Sequence, residues 1–148
     1  MNKIYAFIII IPLIAMLFIK SVTFYEFDTK QRYIKNLVDS TAHKVMITGV
    51  MTVSDKSKLL EELKKLGDFD DTSIILKYGN LQSDGSMSEI YTYVLGNILD
   101  RGEIFSIYVQ SKNESMLSRV EDNSINENGK LYYKAKAICR IEKKQSAN

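Results

Sequence analysis

The chain has 148 residues, with 20 Lys and Arg against 18 Asp and Glu. So small a net charge makes no electrostatic case for a nucleic-acid partner. The only cysteine is Cys139, which excludes an intramolecular disulfide, and the only histidine is His43, which leaves no second His or partner Cys for a zinc set.

The first element is the run Ile4 to Phe24, with no charged residue between Ile4 and Ile19. A bilayer core takes about 20 apolar residues as helix, range about 17–25. The uncharged stretch reaches that length if Lys20 snorkels to the headgroups and Val22, Phe24 and Tyr25 sit in the interface. Pro12 falls inside the run, where a membrane helix tolerates it better than a soluble one. A cleaved signal peptide would need small residues after the apolar core, and Phe18-Ile19-Lys20-Ser21-Val22-Thr23 does not supply them. Residues 1–27 are therefore expected to form an uncleaved single-pass anchor in the cell membrane. Two orientation signals conflict. Lys3 on one side against Lys20, Lys30, Arg32 and Lys35 on the other favours a cytoplasmic C-terminal part, whereas the very short leading segment favours its export.

From Asp28 onward the apolar residues fall at Ile34, Leu37, Val38, Ala42 and Val45, a spacing of three and four. The anchor should run on as an amphipathic stem over 28–47 and stop near Gly49. Those five residues are the candidate stem-packing set, against either the chain's own domain or the stems of neighbours. A second helix is expected from Ser54 as N-cap to Gly67 as stop, with Leu59, Leu60, Leu63 and Leu66 on one face.

The remainder reads as strands. Thr72–Tyr78 is rich in β-branched residues, and Gln82–Ser86 holds an Asp-Gly turn signal. Glu89–Leu95 alternates Ile90, Thr92 and Val94 against Tyr91, Tyr93 and Leu95. Asp100-Arg101-Gly102 marks a turn, Glu103–Gln110 a further strand, and Glu121–Gly129 a polar loop. Leu131–Ile141 sets Leu131, Tyr133, Ala135, Ala137, Cys139 and Ile141 against Tyr132, Lys134, Lys136, Ile138 and Arg140, a strand with one wet face. Helices first and strands afterwards give an α+β fold: a long N-terminal helix, a short second helix and a small antiparallel sheet over 28–148.

No catalytic constellation is visible. His43 has Asp39 one turn away but no nucleophile placed by a motif, so a surface histidine is expected. Cys139 lies on the apolar side of the last strand and is expected to be buried and inert. Asp68, Asp70 and Asp71, and the group Asp122, Asn123, Asn126, Glu127 and Asn128, lack the alternating oxygen ligands, turn glycine and closing Glu of a calcium loop. They read as solvated turns. Asn113-Glu114-Ser115 matches the glycosylation sequon. Tyrosines such as Tyr91, Tyr93, Tyr108, Tyr132 and Tyr133 are expected to pack the sheet or an assembly surface. No cofactor is implied.

Three stretches resemble the TadE-like pseudopilins of tight-adherence pilus systems. They are Ala6-Phe7 through Pro12-Leu13, the patch Phe24-Tyr25-Glu26-Phe27, and Tyr33 to Ala42. The later part, with Leu95-Gly96-Asn97 and a following strand, looks like relatives of that family in Gram-positive bacteria. The resemblance covers the first third of the chain well. It implies a non-enzymatic component of a pilus or secretion apparatus in the cell envelope. Its head would be extracytoplasmic, and its partners would be other apparatus proteins met through the N-terminal helix, with homo-oligomers allowed. Pilin-type precursors carry a Gly before the processed residue and a Glu five positions on. Here no Gly precedes Gly49 and no Glu precedes Glu26, so prepilin processing is not implied. The alternative expectation is a membrane-tethered ligand-binding or sensor module, which a polar-lined pocket among the tyrosines would favour.

Overall fold

A computed structural model describes residues 2–81, 87–121 and 129–143. Helix α1, Asn2–Thr48, runs unbroken through Pro12. Forty-seven residues at about 1.5 Å each make it about 70 Å long. The helix is long and apolar enough at its N-terminal end to cross a membrane. From Phe7 to Ile19 every side chain is exposed. The helix stops where expected: Gly49 adopts φ 72° and its N–H donates to the Val45 carbonyl at 2.7 Å.

Helix α2 spans Val53–Leu66. Its N-cap is Thr52, not Ser54: the Thr52 hydroxyl accepts from the Asp55 N–H, and the Asp55 carboxylate accepts from the Thr52 N–H. A capping box needs an acceptor at the third helical position, and only Thr52 has Asp55 there. Leu59 and Leu63 are buried, with Leu60 and Leu66 partly so. A 3-10 turn, Asp71–Ser73, leads into the sheet.

The sheet has four antiparallel strands in the order β2-β1-β3-β4: β1 Ile74–Leu81, β2 Met87–Thr92, β3 Ile104–Gln110 and β4 Lys134–Arg140. A short helix α3, Met116–Val120, absent from the sequence-based expectation, precedes β4. The expected turn at Gln82–Ser86 and most of the Glu121–Gly129 loop lie outside the described residues. Register aligns Leu76 with Ile107 and Ala137, and Ile74 with Val109 and Ala135. These buried residues form the inner face of the sheet, which α1 covers.

Helix α1 follows β4 along its length and in the same direction. Gln31 exchanges hydrogen bonds with the Lys134 backbone, the Cys139 thiol donates to the Ala42 carbonyl at 3.3 Å, and the Glu142 N–H donates to the Met46 carbonyl at 2.9 Å. Eleven helical residues rise about 16 Å, as do five strand residues, so Gln31 to Ala42 matches Lys134 to Cys139. The small side chains of Ala135, Ala137 and Ala42 let helix and strand approach closely.

Candidate functional site

The stem residues singled out in the sequence share one face. Ile34, Val38 and Val45 are fully buried, Ala42 is nearly so, and Leu37 is partly buried at the margin. All five pack within this chain, in a core that also holds Leu63 of α2, Phe105 and Ile107 of β3 and Ala137 of β4. Of the two packing partners left open, the chain's own sheet takes this face. At the lower end of the contact Phe27 stacks on Tyr133 at 5.2 Å. Above it, Lys44 of the stem pairs with Asp55 at the start of α2. Burial raises the Asp55 pKa, but the bonds from Lys44 and Thr52 outweigh it and hold the carboxyl below its ordinary value.

The residues considered for chemistry are placed apart from one another. His43 is exposed, and Asp39, one turn away, is held by Lys35 at 2.8 Å. Cys139 faces α1 but is half-buried rather than fully buried as expected, and the burial it has pushes its thiol up to about 11. At neutral pH such a sulfur stays protonated and a poor nucleophile. Asp70 caps the 3-10 turn through the Thr72 and Ser73 N–H groups and pairs with Lys112 at 2.8 Å. The bond from Lys112 holds its carboxyl well below the usual carboxylate range. Asp71 pairs with Lys56, and Asp68 accepts from the Asn113 amide. The acidic turn therefore ties the β1 entrance to the segment after β3. Among the described residues no group of three His, Cys, Asp or Glu side chains could hold a metal ion. Asp122, Asn123, Asn126, Glu127 and Asn128 lie outside the described residues. Ser115 of the sequon is buried as the N-cap of α3.

The tyrosines divide between the two sides of the sheet. Tyr93 meets Phe105 edge-on at 5.0 Å, and its hydroxyl accepts from the Met51 N–H at 3.0 Å and donates to the Asn97 carbonyl. Tyr133 is buried under the stem. Tyr108 instead faces an open groove of about 390 Å³ on the outer side of the sheet, lined with Ile75, Lys77, Ile90, Ser106, Lys136 and Ile138. Sequence reasoning did not single out this surface as a site. Its signal was Ile138, an isoleucine among the polar wet-face residues Lys134, Lys136 and Arg140.

No family model, curated protein or solved structure matches this chain.

Proposed function

We propose that the chain is a non-enzymatic, single-pass membrane component of a pilus or secretion apparatus, acting through helix packing and an extracytoplasmic surface. The observation that carries this reading is the continuity of α1. One helix leaves an exposed apolar stretch and, without a break, becomes the core helix of a folded head. An exposed apolar run of this length is costly in water and at home in lipid. Because the stem's apolar face is closed by the chain's own sheet, partner helices would meet the anchor or the opposite side of the stem. The resemblance of the first third to TadE-like proteins supplies the apparatus. The tethered-sensor alternative draws less support, because Tyr93 and Tyr133 are committed to the core and the groove at Tyr108 is open.

Alkaline phosphatase fused to the C-terminus of the full chain tests placement. An active fusion is expected, since the enzyme works only outside the cytoplasm. An inactive fusion, with a cytoplasmic reporter active instead, overturns the orientation. Deleting the gene tests the role: loss of pili or of a secreted product is expected, and unchanged surface and secreted proteins would overturn it.

A further inference from the structure

The sheet has a second face, which is open at Ile75, Ile90 and Ile138 and closed at Ile104 and Ser106 of β3, both buried. Its side chains are set by register: Ile75 lies opposite Tyr108, which lies opposite Lys136, and in the next row Lys77 lies opposite Ser106, which lies opposite Ile138. Apolar and cationic side chains therefore form a chequered surface. Ile75, Ile90 and Ile138 expose 44%, 56% and 52% of their area. Lys77, Lys134, Lys136 and Arg140 supply the charge, and no outward position of β1, β3 or β4 is a carboxylate. None of these four cations has an ion-pair partner among the described residues. By contrast, Lys30, Arg32, Lys35 and Lys44 of the stem each hold a carboxylate.

Edge protection accounts for part of this pattern. Lysines on an outer strand discourage strand addition, and β4 is an edge. It does not account for Lys77, which sits on the interior strand β1, nor for three exposed isoleucines between the charges. We propose that this outer face, centred on Ile75, Lys77, Tyr108, Lys136 and Ile138, docks an acidic partner protein through a segment in which carboxylates are interleaved with apolar side chains. Such a segment would neutralise the unpaired cations and cover the isoleucines together. A nucleic acid would use the cations and leave the isoleucines against phosphate. A lipid surface is disfavoured by geometry. This step rests on the membrane reading above: α1 rises from the bilayer along β4, so the sheet stands upright and its outer face looks sideways.

The test uses the full chain in its own cells, with the photoreactive residue benzoylphenylalanine replacing Ile138. Irradiation should attach it to another protein, at a segment where Asp and Glu outnumber Lys and Arg. The yield should fall by about tenfold or more when Lys77→Glu and Lys136→Glu are added, because a matched charge contact becomes a repulsive one. Should the double reversal fail to fold, Lys77→Gln with Lys136→Gln is expected to lower the yield about threefold by removing the charge alone. Attachment to a second copy of this chain, to lipid or to nucleic acid would overturn the proposal. So would no product, a segment without acidic excess, or a yield indifferent to the substitutions. The phosphatase fusion separates the two readings: an active fusion without a cross-link sinks the docking face alone, and an inactive fusion sinks the placement of the head.

Discussion

Replacing Ile34 by Ala tests whether the chain's own sheet closes the stem. Ile34 is fully buried, whereas Tyr33, its neighbour on the same helix, is 60% exposed. The substitution removes three buried carbons, at about 0.8 kcal/mol each, or about 2.4 kcal/mol. The cavity left between α1 and the sheet raises the cost to about 3 kcal/mol, within the range of about 2–5 for such truncations. For a domain of about 100 residues each kcal/mol lowers Tm by about 4–8 °C, so a fall of about 12–24 °C is expected. The full chain in detergent micelles can be melted while the near-ultraviolet dichroism of the tyrosines is followed. Tyr93 against Phe105 and Tyr133 against Phe27 make that signal depend on the head's packing. Tyr33→Ala should stay within about 0.5 kcal/mol of the parent. An unaffected Ile34→Ala protein, or a Tyr33→Ala protein equally destabilised, would refute the assignment of faces. A Tm that rises with protein concentration would do so too, because neighbouring copies would then be closing the stem.

Thr52→Ala should cost about 1 kcal/mol by removing the N-cap of α2, and Ser54→Ala close to nothing, read from the same melts. The Asp70 carboxyl, depressed mainly by Lys112, should titrate below the ordinary aspartate range in a carbon-detected NMR titration and move up in Lys112→Ala. Because its folded pKa lies below the unfolded value, the stabilisation from this pair is present above the unfolded aspartate pKa of about 3.9 and is lost as pH falls further. An acid limb of the stability curve unchanged by Lys112→Ala would contradict this linkage. Cys139, raised to about 11, should resist iodoacetamide at pH 8 in the folded chain and react readily in denaturant. Equal rates in both would show that the thiol is not buried against α1.

Much of the fold was legible because local signals coincided with tertiary ones. The stem's spacing of three and four ran up to Gly49, and the helix ends there because only a residue at ease at positive φ can follow Thr48. Strand β4 was legible because burial alternates along its middle: Ala135 and Ala137 are buried, and Lys134, Lys136 and Ile138 are exposed, though the strand spans Lys134–Arg140 rather than the expected Leu131–Ile141 and Cys139 is only half-buried. The start of α2 was misread by two residues, since Ser54 and Thr52 are both hydroxyl caps and only the Asp55 bond decides between them. Helix α3 and the 3-10 turn are too short to show periodicity and are held by side-chain caps from Ser115 and Asp70. Strand order was not legible, because β1 pairs both with β2, which follows it, and with β3, which lies further along the chain, and alternation alone does not show which strands become neighbours. Nor was the docking face, because solvent-facing strand residues look alike until register gathers Ile75, Tyr108 and Ile138 onto one patch.

On the proposed membrane reading, the unbroken helix also fixes how far the outer face stands from the lipid. From Tyr25, at the end of the apolar run, to Gln31 is six helical residues, or about 9 Å, so β4 begins close above the headgroups. The Ala42–Cys139 contact falls about 25 Å up, and the Met46–Glu142 contact about 31 Å. The chequered surface therefore occupies a band about 10–30 Å from the bilayer, set by residue count rather than by a loop. The ion pairs Glu26–Lys30 and Asp28–Arg32, each spaced one turn apart, span the stretch that joins lipid to head and favour its staying helical. A hinged head would sample many heights and pay an ordering cost on docking. A head carried on a continuous helix meets its partner already at one height and in one orientation, which suits a component whose contacts lie beside the membrane in a fixed assembly.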